Sequence, residues 1–396
     1  MKPPRAAMNR VLASVLTAHF LSAFAALGMP VFLSRIIGEL APDAGAGWAG
    51  ALYVLPTLCA ALSTTAWGRF ADRHGRKLSL LRAQLGLAAG FAIAGFASDL
   101  PGLALGLLVQ GFFGGSLAAA NAYLAVQAST GALARALDWT QYSARLALVS
   151  APVLVGIAMA AAPAQSLYRV LALLPLLAFV LTCGLPTDRP TAAAGVPMAE
   201  PAVPAPATDA RGWGALLLAQ FLFCFALVVG FPYFVPFALA RGASDTAWGG
   251  VLFSLPHLAY LALLPLWRSA IPHRGLVLGL LLFAIANLWQ SGLNGIASLF
   301  VARLLAGLGM SLCLRGLNQH LAGFATPSIA GRVFGRFDAC GKWAGVAAGL
   351  AAASLVQWKD DAAPFQLAAT TAATAALVVL LYLPAWRTID APANRP

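Results

Sequence analysis

Long apolar runs separated by short charged segments dominate this chain of 396 residues. A helix needs about 20 apolar residues to cross the hydrocarbon core of a bilayer. On that length scale the chain holds about twelve such segments, which we number spans 1 to 12. They occupy residues 11–37, 47–67, 78–98, 101–127, 138–161, 166–186, 213–239, 247–267, 275–295, 297–321, 333–357 and 364–386. The sequence therefore predicts an all-α integral membrane protein with about twelve transmembrane helices.

The positively charged residues fall mainly in alternate connections between the spans. One face holds most of the 25 Lys and Arg residues, whereas the connections on the opposite face hold only Arg35, Arg169, Arg241 and Lys359. Cytoplasmic loops are enriched in Lys and Arg. We therefore expect a multi-pass protein of the bacterial inner membrane with both termini in the cytoplasm. The net charge of +12 is dispersed between apolar runs, which does not favour a nucleic-acid partner.

A stretch rich in Pro and Ala separates spans 6 and 7. Its composition cannot bury a core, which is typical of a mobile linker. The sequence thus predicts three parts: a six-helix bundle over 1–186, a cytoplasmic linker over 187–212 and a second six-helix bundle over 213–396. Duplicated halves around a central cavity are a common plan for transporters.

The loop between spans 2 and 3 carries a specific motif. Gly68, Asp72, Arg73, Gly75, Arg76 and Lys77 follow the pattern of glycine, three residues, aspartate, a basic residue, any residue, glycine and two basic residues. This loop resembles the signature of the major facilitator superfamily, and it falls after the second span as it does there. The resemblance implies two pseudo-symmetric six-helix bundles and transport by alternating access. It also implies that these six residues form a conformational gate at the cytoplasmic face.

Span 5 is similar to the motif of the antiporter branch of that family. Pro152 and Gly156 are retained, but Ala147 and Ala151 replace two of its glycines. Two further departures concern charge. The position of a common arginine in span 4 is Leu107, and span 1 lacks the acidic residue that often couples transport to protons.

Three charged residues within the spans are candidates for function, because a charge inside a membrane is costly and usually faces a cavity or a partner. Arg145 lies in span 5, and Asp338 and Lys342 lie four residues apart in span 11. We expect Arg145 and Lys342 to attract an anionic or oxygen-rich substrate while Asp338 exchanges a proton. The alternative is a static Asp338–Lys342 pair, with Arg145 reaching towards the lipid headgroups.

Polar residues complete the set of candidates. His19 and His257 could carry protons, because imidazole titrates near neutral pH, or could be hydrogen-bonded core residues. Further expected substrate contacts are the amides Gln110, Asn121, Gln220 and Asn318. No phosphate-binding loop, zinc-ligand spacing or nucleophile elbow is visible. We therefore expect no cofactor, no metal and no enzymatic activity.

These observations favour proton-coupled export of a small molecule by a monomer embedded in the lipid bilayer. The cationic residues and a faint likeness to siderophore exporters, such as those for alcaligin, make a siderophore one candidate substrate. Multidrug or sugar efflux and import of an organic anion are alternatives. A receptor or scaffold that transports nothing is the alternative from another class, and it predicts that Arg145, Asp338 and Lys342 can be neutralised together without effect.

Overall fold

A computed structural model describes residues 5–127, 130–188, 210–263, 273–292, 295–324 and 330–383. All regular elements within these ranges are helices. Eleven of the described segments are helical, apolar and long enough to cross a membrane, and Trp48–Thr64 is a shorter apolar helix. Each of the twelve predicted spans coincides with one of these segments. Positions 189–209 of the predicted linker lie outside the described residues.

The helices of spans 1 to 6 form the first half. Their bounds are Arg5–Gly28 and Leu33–Leu40 for span 1, Trp48–His74, Arg76–Gly95, Leu100–Phe113 with Ser116–Gln127 for span 4, Thr130–Ala161 and Ala164–Cys183. The helices of spans 7 to 12 form the second half. Their bounds are Ala210–Val228 and Phe234–Ala240 for span 7, Thr246–Leu263, His273–Gly292, Ile296–Phe324, Ala330–Trp358 and Ala363–Tyr382.

The two halves repeat short sequences at equivalent places. Spans 1 and 7 are both interrupted by a single 3₁₀ turn, Pro30–Phe32 and Phe231–Tyr233, which contains a proline. Spans 2 and 8 repeat at an offset of 200 residues: Trp, Gly, two Leu and Pro recur at the same positions of 48–56 and 248–256. Both repeats end in a proline inside the helix, Pro56 and Pro256.

Each of these prolines packs against a glycine of the neighbouring span. A Cβ atom on Gly111 of span 4 would overlap the backbone of Pro56, and a Cβ on Gly307 of span 10 would lie 2.8 Å from the Cα of Pro256. Small residues allow such close approach of membrane helices. The two contacts therefore show that spans 4 and 10 occupy equivalent places in the two halves. Leu107 and Arg303 lie at matching positions, four residues before each glycine.

Span 4 differs from the single helix that the sequence predicts over 101–127. It breaks after Phe113, and Gly115 has a φ of 87° that favours glycine. The carbonyl groups at the end of its first helix bind side chains instead. Trp67 Nε1 donates to Phe112 O at 2.6 Å and Arg82 Nη1 donates to Phe113 O at 2.9 Å. Span 10 has no such break and forms one helix of 29 residues.

The halves meet at the end of the bundle that lies opposite the 68–77 loop. We name the two ends the loop end and the far end. At the far end Tyr233 Oη accepts a hydrogen bond from Gly50 N at 2.9 Å, and Thr246 Oγ1 donates to Gly156 O at 3.0 Å. Ser34 Oγ also donates across the interface, to Pro232 O. Hydrogen bonds of spans 1, 2 and 5 with spans 7 and 8 therefore hold this end closed.

Exposure along span 11 shows where the halves separate. Asp338 and Lys342, towards the loop end, expose 66% and 41% of their side chains. Ala348 and Ala352, further along the same helix, are fully buried. Gly50 of span 2 lies here, and a Cβ on it would approach Gly349 O to 2.6 Å. The interface is thus tightly packed at the far end and open towards the loop end.

Candidate functional site

A cavity of about 370 Å³ lies between the halves on the loop-end side of this closed interface. Spans 1, 2, 3, 4 and 6 supply most of its wall, and Lys342 of span 11 is the only charged residue among the described residues that line it. The polar groups beside Lys342 include Tyr53, Thr57, Gln110 and Ser116. Most of the other lining residues are apolar, and they include Leu33, Leu52, Leu87 and Leu107. The cavity therefore combines an apolar wall with a single cation and several hydrogen-bonding groups.

Lys342 forms an ion pair with Asp338. Its Nζ atom lies 2.8 Å from Asp338 Oδ2, one helical turn towards the loop end. Both side chains are more than a third exposed, so solvent screens the pair and its contribution to stability is small. Because the pair is weak, Lys342 can exchange the carboxylate for an anionic ligand at little cost.

Arg145 lies across the interface from span 11. Its guanidinium stacks on the Tyr260 ring of span 8 with a distance of 5.1 Å to the ring centroid. Arg145 therefore faces span 8 of the second half, and it does not line the cavity that Lys342 completes.

Of the four amides predicted to contact substrate, Gln110 lines the cavity and the other three lie elsewhere. The Gln110 Nε2 atom is buried and has no hydrogen-bond partner among the described residues, so it is available to a ligand. Asn121 instead accepts a hydrogen bond from Thr140 Oγ1 at 2.8 Å. Gln220 is buried beside Gly341, and Asn318 is exposed outside the cavity.

Each of the two histidine candidates is buried inside its own half, His19 in the first half and His257 in the second. His19 Nδ1 is 2.9 Å from Ser143 Oγ, which fits the alternative of a hydrogen-bonded core residue. His257 faces a small cavity of about 20 Å³ in the second half, beside Asn287 and Arg303. Its Nδ1 atom has no partner among the described residues. Neither histidine lines the central cavity.

Arg303 has a structural partner that the sequence did not suggest. A proline lacks the N–H that would bond the carbonyl four residues earlier, so Pro256 leaves the Leu252 carbonyl free. Arg303 Nε donates to that carbonyl at 3.0 Å, and Nη2 donates to Phe253 O at 2.9 Å. Its guanidinium also stacks on Phe234 at 4.2 Å. The repeated Leu-Pro sequences of spans 2 and 8 were the signal that could have located this contact.

The motif loop is anchored to the end of span 6. Gly75, with a φ of 98°, ends the span 2 helix. The next two backbone N–H groups, of Arg76 and Lys77, donate to the Asp188 carboxylate at 2.6 and 2.9 Å. Asp188 therefore caps span 3 and places a negative charge at the positive helix terminus. Asp188 was not predicted from the sequence, because it lies over a hundred residues from the loop. The side chain of Asp72, which the motif includes, lies outside the described residues.

Apolar helices long enough to cross a bilayer, arranged in two similar halves around a cavity, define a multi-pass membrane protein. Residues 12–271 match the sequence model of the Major Facilitator Superfamily, which is more than half of the chain. The chain therefore belongs to this superfamily of membrane proteins.

Solved structures share the fold across almost the whole chain. A peptide transporter of the POT family, PepTSo, superimposes with a TM-score of 0.78 at 14% identity, covering 94% of this chain and 97% of that one. The human organic anion transporter MFSD10 (TETRAN) gives a TM-score of 0.68 at 18% identity, covering 96% of this chain and 100% of that one. Identities this low establish the fold alone.

Similar sequences include the multidrug resistance protein MdtG of Dickeya zeae (strain Ech586). It is 36% identical over 111 residues, which is 27% of each chain. MdtG of Proteus mirabilis (strain HI4320) is 38% identical over 80 residues, which is 20% of each chain. The chain thus matches about a quarter of the length of these relatives.

Proposed function

We propose that this protein is a secondary active exporter that moves a largely apolar small molecule out of the cytoplasm by alternating access. The observation that carries the proposal is the closed far end with a cavity behind it. If the loop end is cytoplasmic, as the positive-inside rule favours, the structure is the inward-facing state in which an exporter collects its substrate. The two bundles, with their boundary in the 187–212 linker, would rock about the central cavity.

Export is favoured by the relatives named multidrug resistance proteins and by the Pro152 motif of span 5. The cavity wall defines the substrate class further. Its described residues include Lys342 and no carboxylate, which disfavours cationic drugs and favours neutral or anionic compounds with apolar bodies. A siderophore with oxygen-rich groups is one such compound, and Gln110 and Tyr53 could donate to its oxygens.

Proton coupling is assigned in this proposal to Asp338. With the substrate absent, Asp338 is paired with Lys342 at 2.8 Å. A substrate bound beside the pair would keep Asp338 ionised by donating a hydrogen bond to its carboxylate, whereas a proton on Asp338 would remove that acceptor and favour release of the substrate. Proton and substrate would then compete for Asp338, which is the negative coupling that exchange of one against the other requires.

Inside-out vesicles that contain the full chain test the proposal. A proton gradient is imposed, a pH-sensitive dye is enclosed, and siderophores, sugars, neutral apolar drugs and cationic drugs are added one at a time. We expect neutral or anionic apolar compounds to dissipate the gradient in the parent and not in Asp338→Asn. The matched control is Asp43→Asn, which neutralises an exposed acid at the far end and should behave as the parent.

Other outcomes discriminate between the alternatives. Dissipation by cationic drugs alone would refute the substrate class assigned to Lys342. Labelled substrate that equilibrates without proton movement would make the protein a facilitator. Accumulation against its gradient in the opposite direction would identify an organic-anion importer. A triple variant of Arg145, Asp338 and Lys342 that retains every parental property would favour the receptor or scaffold.

A further inference from the structure

A groove of about 440 Å³ runs along the outer surface of the first half, away from the central cavity. It lies between spans 3, 4 and 6 near the loop end, and its lining includes Leu78, Leu85, Ala89, Phe113 and Phe179. Leu78 and Leu85 are about half exposed on this surface. Since the helices cross the bilayer, this groove faces lipid acyl chains. We name it the outer groove.

Arg82 is the only charged residue in the described lining of the outer groove. It lies six residues into the span 3 helix, or about 9 Å from the loop-end start of that helix. Its guanidinium lies 4.0 Å from the Trp67 ring centroid, and its Nη1 donates to Phe113 O. The buried Nε has no hydrogen-bond partner among the described residues. Arg82 Nη2 also lies 3.5 Å from Ser79 Oγ, and the ion pairs among the described residues do not include Arg82.

An arginine at this depth is costly without an anionic partner. Among the residues whose side chains the structure describes, those around Arg82 supply carbonyl and hydroxyl oxygens but no carboxylate. Arg69 and Arg73 are exposed at the same end of the bundle and add positive charge near the headgroup level. Arginine binds phosphate with charge-assisted hydrogen bonds. An apolar groove with a cation at its edge therefore matches an acyl chain that carries a negatively charged headgroup.

We propose that the outer groove binds an anionic phospholipid of the loop-end leaflet, with one acyl chain in the groove and the phosphate at Arg82. Because Arg82 and Trp67 also hold the broken end of the first helix of span 4, a bound lipid stabilises this break. The site is separate from the central cavity and does not depend on which substrate the protein transports.

Lipid binding to the purified, delipidated full chain tests the proposal by native mass spectrometry. The probes are phosphatidylglycerol and phosphatidylcholine with identical acyl chains. We expect preferential retention of phosphatidylglycerol and a loss of about fivefold in Arg82→Gln, the effect of one lipid–cation contact. Arg82→Lys keeps the charge and should retain most of the preference. Arg169→Gln is the matched control, since Arg169 stacks on Phe96 at the far end at 5.4 Å.

A second variant separates lipid binding from folding. Ala89→Trp fills the groove without touching the contacts of Arg82, and we expect it to lose phosphatidylglycerol while its melting temperature in phosphatidylcholine stays near that of the parent. Equal retention of the two lipids, or an Ala89→Trp variant that binds as the parent does, would overturn the proposal. Displacement of the lipid by oleate, followed by oleate transport, would overturn it in favour of a substrate entry route.

Discussion

Gly50→Ala should shift the protein away from the state in which the far end is closed. A Cβ atom at this position would lie 2.6 Å from Gly349 O and 2.9 Å from Ala353 N. Both are backbone atoms of span 11, so no side-chain rotation relieves the overlap. Overpacking of this kind costs about 1–3 kcal/mol. Only the state with the far end closed is destabilised, because spans 2 and 11 separate when that end opens.

This cost converts to a population shift of about 5- to 150-fold, since each 1.4 kcal/mol is a factor of ten. Gly345→Ala is the matched control. It lies on span 11 one turn from Gly349, and no atom lies within 4 Å of its added Cβ. Both substitutions replace a helical glycine by alanine and gain the same helix propensity of about 1 kcal/mol. The difference between the two variants therefore isolates the overlap at the interface.

Pulsed electron–electron distance measurements can follow the shift. Spin labels are placed at residues 43 and 359, which lie at the far end on opposite halves, after replacement of the five native cysteines. We expect Gly50→Ala to populate longer distances than Gly345→Ala or the unsubstituted background. Identical distance distributions in all three proteins would refute the assignment of the Gly50 contact to a closed end that opens.

Three further predictions follow from the described contacts. Arg303→Met should destabilise the fold by about 1–3 kcal/mol through unpaired carbonyls, and adding Pro256→Ala, which restores a backbone N–H, should recover part of that loss in a double-mutant cycle of thermal unfolding. Tyr233→Phe removes the acceptor for Gly50 N and should lengthen the distance between residues 43 and 359. The hydrogen bond from Trp248 N lowers the pKa of Asp245 in the folded protein. The stabilisation that this bond gives the fold is present above the pKa of Asp245 in the unfolded chain, and it is lost as the pH falls through the lower pKa of the folded protein. Asp245→Ala should therefore lower the melting temperature at neutral pH, and the difference in melting temperature between this variant and the parent should become smaller in acid.

The pattern of apolar runs and charges predicted the membrane fold because each span satisfies its own backbone hydrogen bonds and must be long enough to cross the bilayer. These are local requirements, so they are visible in any single segment of sequence. The loop motif at Gly68 to Lys77 likewise identified the family before the helices were placed. The repeat of 48–56 in 248–256 was equally available in the sequence, because it needs only comparison of the chain with itself.

The charged candidates show how far local reasoning extends into the site. An Asp338–Lys342 pair was one of the two arrangements considered from the sequence, because residues four apart on a helix share a face whatever surrounds it. The rest of the wall of the central cavity, to which Lys342 contributes, was not predictable, since it comes from spans of the first half. The pairing of Arg303 with the carbonyl freed by Pro256, and of Asp188 with span 3, also joins distant segments.

By itself, therefore, the sequence determined that this chain crosses a membrane about twelve times, which ends carry positive charge, and which family the loop between spans 2 and 3 indicates. Only the tertiary structure decided that the far end is closed and the loop end open, that Gln110 faces the cavity while Asn121 and Asn318 do not, and that span 4 breaks where span 10 continues. The reason is physical: crossing a bilayer is a property of one helix, whereas a cavity and its state depend on how several helices pack together.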